Sequence, residues 1–171
     1  MTNAFANSLV TNTEIMLLGT IEDPSYAFPG SNATKMNEVD ELGDLSDHND
    51  GNLDAVTNYA TILGADLVSF VVNASQGDTA GIANRPGRHS INARTAMTSS
   101  NFTFCHELGH NLGARHSWGD SGDTSSNTSR FGLRFKGSGG SRYRTIMAYN
   151  NSPSYSASRI PHYANTSVNF D

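Results

Sequence analysis

Cysteine is nearly absent from this sequence of 171 residues: Cys105 is the single one, which excludes an internal disulfide framework. Charge is scarce as well. Lys and Arg number 11 against 16 for Asp and Glu, and the resulting formal charge of −5 offers no basic field for nucleic acid or an anionic membrane. Long hydrophobic runs are missing, since the longest early one, Ile15 to Leu18, falls far short of the ~20 residues of a spanning helix. The opening MTNAFANSLVTN mixes polar with apolar residues and has no basic start, so no signal peptide is visible. What remains is a weakly charged chain, 36% hydrophobic and 16% charged, whose polarity comes mostly from Asn, Ser, Thr and Gly. It is long enough for one compact domain with a proper core and too short for two independent ones. Cys105 is expected to pack as a small apolar side chain.

Periodicity outlines the elements. Residues 3–10 have the apolar spacing of a short helix, and EIMLLGTI, residues 14–21, reads as a strand for that helix to pack on. Turn residues follow at Asp23 to Tyr26 and Phe28 to Ser31, and then a weakly patterned acidic stretch to about Asp47. Residues 47–66 do not fit a calcium loop, because Gly51 in the sixth position would place Ser46 in the first. A helix fits better: Asp50 as cap, an apolar stripe of Leu53, Val56, Tyr59 or Ala60, and Leu63, and Gly64 at the end. LVSFVVN, residues 67–73, is patterned as a buried central strand, so strand, helix and strand form a right-handed crossover in a parallel sheet. Residues 77–88 read as loop and residues 90–98 as a further strand, with Ser99, Ser100 and Asn101 available to cap a helix over about residues 101–112.

That helix carries the chemistry. FCHELGHNLGARH, residues 104–116, holds His106, His110 and His116, with Glu107 beside the first and Gly113 between the last two. Histidines four apart project from one helix face, so His106 and His110 can reach one metal ion. His116 cannot do so by continuation, because six more helical residues carry it about 9 Å along the axis, against metal–nitrogen bonds of about 2.0–2.1 Å. The helix must stop and turn back, and Gly113 is the residue type that ends a helix in the left-handed conformation. Three neutral imidazoles leave the fourth position of a tetrahedral zinc open, as in a catalytic rather than a structural site. Glu107 is placed to take a proton from water whose pKa zinc has lowered.

The run from His106 to His116 matches HExxHxxGxxH and thereby resembles the metzincin zinc endopeptidases, with a reprolysin-like, bacterial-type member as the branch considered. Thr145-Ile146-Met147-Ala148-Tyr149 resembles their methionine turn, whose Met147 would be an apolar floor to the metal site and not a ligand. The resemblance implies an α/β (α+β) zincin-like fold: a twisted, mostly parallel sheet with an antiparallel edge strand and two long helices, then an irregular C-terminal subdomain. It implies one catalytic domain over residues 1–171, with subdomains of about 1–113 and 114–171, excised from a longer secreted precursor with an inhibitory propeptide. The implied reaction is peptide-bond hydrolysis on one Zn2+ held by His106, His110 and His116, with Glu107 as general base. A zinc-stabilised module that binds peptides without cutting them is the alternative.

The substrate would be a polypeptide along the cleft, with residues within 78–97 as the strand that receives its backbone. Neither nucleic acid nor membrane is an expected partner, and a monomer is expected. Tyr149 resembles the tyrosine that in some metzincin branches moves between zinc and the tetrahedral intermediate, against a plain wall or core role. Residues 150–163 would shape the pocket beyond the scissile bond, with Tyr155, Arg159 and His162 as specificity candidates by position. Calcium finds only Asp120 and Asp123 in the polar loop 119–129, and without a third carboxylate that segment reads as solvated loop, as does GSGGS at 137–141. His48, His89 and His162 lack a partner at ligand spacing and are expected to be exposed or satisfied.

Overall fold

The structure is a computed structural model that describes residues 2–22, 46–47, 49, 51, 53–73, 80–120, 124–150 and 156–168. Its contacts divide the chain into two compact units, Met16–Leu112 and a second made of Met1–Ile15 with Gly113–Asp171. Both mix helix with small sheets, an α+β chain as the family resemblance implies.

In the first unit the helix α2, Asp54–Ile62, buries Val56, Thr57 and Ala60, residues three and four apart on one face. Leu53 precedes it in a left-handed conformation, φ 53°, and at its end Gly64, φ +63°, lets the Ala65 N–H close on the Ala60 carbonyl at 2.9 Å. Strand β1, Val68–Val72, pairs in parallel with β3, His89–Ala93, from Val68 opposite His89 to Val72 opposite Ala93. Strand β2, Gly81–Ala83, pairs antiparallel with β3, so the order is β1-β3-β2. Leu53, Val56 and Ala60 pack on Val68, Val72 and Ile91, burial worth about 1.5–3 kcal/mol for each larger side chain. Strand β3 is buried along its whole length, and its polar Asn92 donates to the Ser69 hydroxyl at 2.9 Å.

Several expectations fail in this unit. Strand β1, read as a buried central strand, stands at the end of the order β1-β3-β2 among the described residues with Val71 exposed, and β2 lies within the stretch 77–88 read as loop. Residues 14–21 form no strand, and Met16, Leu17, Leu18 and Ile21 are exposed. The segment instead passes α2, since a Cβ on Gly19 would meet Tyr59 and Leu63 at 2.8 Å. An apolar run specifies a wish for burial but no ladder partner, so the crossover built on that strand does not form among the described residues. The strand read to Thr98 stops at Ala93, where a 3-10 turn, Arg94–Ala96, follows. The turns at 23–31, the cap Asp50, His48 and most of the acidic stretch lie outside the described residues.

In the second unit α1, Thr2–Asn7, is held to the end of the chain. Phe5 stacks at 5.6 Å on Tyr163, the Tyr163 N–H donates to the Ser8 hydroxyl at 2.7 Å, and Asn165 donates to the Ser8 carbonyl at 2.7 Å. Strand β4, Arg115–Ser117, lies parallel to β5, Phe131–Gly132. Strands β6, Arg134–Lys136, and β7, Arg142–Arg144, form a hairpin around the GSGGS segment, and β8, Ser158–Arg159, adds in parallel to β7. Five strands of two or three residues thus occupy a stretch whose Gly- and Ser-rich sequence predicts few regular elements.

Candidate metal centre

The helix α3, Thr103–Asn111, supplies the first part of the site and packs on β2 and β3. It starts two residues later than the sequence predicts, and none of Ser99, Ser100 and Asn101 caps it. Thr98 ties up that stretch in a turn, taking the Asn101 N–H on its hydroxyl at 3.2 Å and the Phe102 N–H on its carbonyl at 3.1 Å. Phe102, φ 53°, then feeds the helix with no side-chain cap. From Cys105 to Asn111 the helix is buried throughout.

His106 and His110 stand edge to face with ring centroids 4.7 Å apart. Gly113 takes φ +92°, the left-handed turn predicted for it, and β4 then carries His116. One nitrogen of each of His106, His110 and His116 lies within 4.8 Å of the others. Nitrogens on a tetrahedral zinc with bonds of about 2.0–2.1 Å stand about 3.3 Å apart, so small side-chain adjustments bring all three into bonding range. Three imidazoles on residues buried or half-buried are a donor set that fits zinc, and the triad can hold a metal ion.

Glu107, also buried, lies against the backbone of β2: a Cβ on Gly81 would come within 2.7 Å of its Cγ and 2.8 Å of its Oε1. Nothing in the spacing of the sequence signals this contact. Asn111, the residue after the second histidine, is buried and donates to the carbonyls of Asn84 at 3.0 Å and His89 at 2.8 Å, while its own carbonyl receives the Gly87 N–H at 3.1 Å. The end of α3 is thereby fastened to the chain between β2 and β3. An amide directly beside a ligand was the only available hint.

Thr145 to Ala148 are fully buried. Thr145 is held on both sides of its backbone register with Leu133, receiving the Leu133 N–H on its hydroxyl at 2.9 Å, and the Ile146 N–H donates to the His162 carbonyl at 2.8 Å. Gly132 permits the close pass of this turn, because a Cβ there would stand 2.6 Å from Ala148 N and 2.8 Å from the Met147 carbonyl carbon. Tyr149, half exposed, lies with its ring 3.9 Å from the His116 imidazole at 31°.

Of the other candidates, Asp120 is taken up by Arg134 at 2.9 Å, while Asp123 and Tyr155 lie outside the described residues. His89 is a buried strand residue whose Nδ1 meets the Ser46 hydroxyl at 3.2 Å. Burial lowers the His162 imidazole below its ordinary pKa. Cys105 is buried on α3, as a small apolar residue would be. Among the described residues no helix is long and apolar enough to cross a membrane.

A family model described as metallo-peptidase family M12 matches residues 10–159, which includes the histidine triad and the methionine-turn segment. The chain belongs to metallo-peptidase family M12. It is a metzincin-like metallopeptidase domain, as the extended histidine motif implies. The M12 domain is 27% identical over 171 residues to a peptidyl-Asp metalloendopeptidase of Stenotrophomonas maltophilia (strain R551-3), a match covering 98% of this chain and 38% of the relative. A peptidyl-Asp metalloendopeptidase of Stenotrophomonas maltophilia (strain K279a) is 26% identical with the same coverage. The chain thus spans about 38% of the length of these curated relatives. No solved structure matches it.

Proposed function

We propose that this domain is a zinc-dependent endopeptidase that cleaves polypeptides at aspartyl positions, with Glu107 as general base. The observation that carries the reading is the meeting of three imidazole nitrogens within 4.8 Å beside a buried carboxylate. His106, His110 and His116 would hold the ion, which when bound supplies a Lewis acid for the scissile carbonyl and lowers the pKa of water toward neutrality. Glu107 takes the proton of the attacking water and returns it to the leaving amine, so one carboxylate serves as base and then acid. Tyr149, its ring on His116, donates its hydroxyl to the oxygen that becomes negative in the transition state. Met147 gives the ligands an apolar floor.

Strand β2 is antiparallel and stands at the end of the order β1-β3-β2, and it receives the substrate backbone as an added strand. The preference for aspartyl positions follows the names of the two relatives. Residues 1–171 act as one catalytic domain of a longer, secreted precursor, in keeping with the family resemblance.

Glu107→Gln tests the reaction: it retains about one zinc per chain and loses proteolysis by a factor of about 10²–10⁴, read as kcat/KM on a peptide mixture. Full activity in that variant overturns the mechanism. Tyr149→Phe keeps the ring on His116 and removes only the hydroxyl. It lowers kcat by about 10²-fold with little change in KM if the phenol serves the transition state, and an unchanged kcat assigns Tyr149 to the wall.

A further inference from the structure

We propose that one face of the sheet β6-β7-β8 is a docking surface for a short acidic stretch of the polypeptide substrate, held by Lys136 and Arg142 at a distance from the scissile bond. The inference rests on the peptidase reading above and extends it to a surface outside the metal centre. The net charge of −5 conceals a segregation. Met1–Ile15 with Gly113–Asp171 holds seven of the 11 Lys and Arg but only four of the 16 Asp and Glu, a balance of +3, whereas Met16–Leu112 holds four and 12, a balance of −8. Every carboxylate of the positive unit is in that count, so its surplus is independent of which cation pairs with which.

Strand pairing gathers the surplus. Residues opposite each other share a sheet face, and alternate residues of a strand return to it. Arg134 opposite Arg144, Lys136 opposite Arg142, and Arg144 opposite Arg159 therefore put five of those seven cations on one face. Phe135 and Tyr143, opposite each other with ring centroids 5.6 Å apart, belong to the other. Arg134 is answered by Asp120 at 2.9 Å, and Arg144 is turned to the carbonyls of Ala148 at 2.8 Å and Ala157 at 3.1 Å. Lys136 and Arg142 are the exposed members. The turn between their strands is closed by the Gly137 N–H on the Ser141 carbonyl and the Gly140 N–H on the Gly137 carbonyl, each at 2.9 Å, so the two cations are held side by side before a ligand arrives. Like charges directly opposite repel, and an anion between them removes that cost.

The chain as a whole is acidic, so an extended polyanion such as nucleic acid gains at this face and is repelled by the net charge beyond it. At about 3.4 Å per residue and about 4.8 Å between strands the face measures about 7 by 10 Å, the span of about three extended residues, which suits a short acidic run. Continuity with the metal site makes the substrate its source. Strand β7 leads straight into Thr145, and Arg134 of the same face donates to the Tyr149 carbonyl at 3.4 Å. The Tyr149 ring lies 3.9 Å from the His116 imidazole. Lys136 and Arg142 stand two residues further out on their strands, about 7 Å beyond Arg134 and Arg144, so they meet a stretch remote from the bond that is cut rather than a side chain beside it.

The zinc-loaded chain is assayed at low ionic strength on two peptides that share a core it cuts, chosen from a peptide mixture, and carry beyond a short spacer a tail of Glu or of Gln. The Glu peptide has a KM about fivefold lower with kcat unchanged, the size expected of two exposed ion pairs, and the advantage disappears in about 0.5 M salt. Lys136→Glu combined with Arg142→Glu reverses the preference while activity on the Gln peptide stays as it was. A second arm needs no cleavage: a labelled hexapeptide of D-Glu binds the zinc-loaded chain in fluorescence anisotropy at low salt, and the double variant loses that binding. Equal KM for the two peptides, or a preference untouched by the double variant, overturns the docking face and leaves the peptidase reading standing. A labelled oligonucleotide bound more tightly than the hexapeptide assigns the face to nucleic acid, and low-salt self-association in sedimentation that the double variant abolishes assigns it to a second copy of the chain; either overturns the proposal. Failure to cut anything in the mixture overturns the peptidase reading and substrate capture with it.

Discussion

Gly81→Ala isolates the placement of Glu107 from every other part of the site. The backbone of Gly81 is outside the left-handed region, so alanine brings no conformational strain of its own. Its Cβ would stand 2.7 Å from Glu107 Cγ, 2.8 Å from Oε1 and 3.0 Å from Cδ. Carbon atoms rest at about 3.5–4.0 Å, so the carboxylate must retreat by roughly 1 Å. Glu107 is only 4% exposed, which leaves it little room to retreat without moving its neighbours. A displacement of that size at a reacting group costs about 10² in rate, because the proton acceptor leaves the line of attack. We therefore expect kcat/KM to fall by about 10²-fold while zinc content stays near one per chain and the melting temperature drops by only a few degrees. Steady-state kinetics on a cleavable peptide, metal analysis and thermal melts on the same sample separate these effects. A kcat/KM within twofold of the unaltered chain would refute the claim that β2 holds Glu107 in place. Loss of zinc along with activity would refute it differently, by showing that the added methyl disturbs the histidines.

The remaining predictions concern the supports of the site. Asn111→Leu leaves the carbonyls of Asn84 and His89 without their donor, so urea unfolding should show a loss of about 2–4 kcal/mol; an unchanged midpoint would mean that water replaces the amide without penalty. Gly132→Ala forces a methyl against the backbone of Met147 and Ala148, which cannot yield as a side chain would. It should cost about 1–3 kcal/mol in the same assay and weaken zinc binding through the methionine turn. Unaltered stability and metal affinity would show that this turn is not under tight packing.

The histidine triad was legible in the sequence because it sits on one helix and one turn. His106 and His110 share a face through the 3.6-residue period, and only a reversal at Gly113 can bring His116 back, a geometry that spacing alone dictates. The strand at 68–72 was visible because a continuous apolar run marks an extended segment, whereas HSINA at 89–93 has no such run and its strand ends five residues before the span read from the sequence. The run at 14–21 announced burial equally well and did not form a strand, because pairing needs a partner and a register that no local pattern encodes. The caps proposed before α3 failed because Thr98 competes for the same N–H groups in a turn. Only the tertiary structure brought Gly81 against Glu107, Asn111 onto the chain between β2 and β3, and Arg144 beside Arg159. These contacts join residues 15 to 27 positions apart, and a missing Cβ, a buried amide or a lone arginine carries no mark in the sequence of what it will touch. Local geometry therefore determined which histidines can share a metal ion, whereas the surroundings of Glu107 and Asn111 and the pairing of the arginines were decided by packing between distant segments.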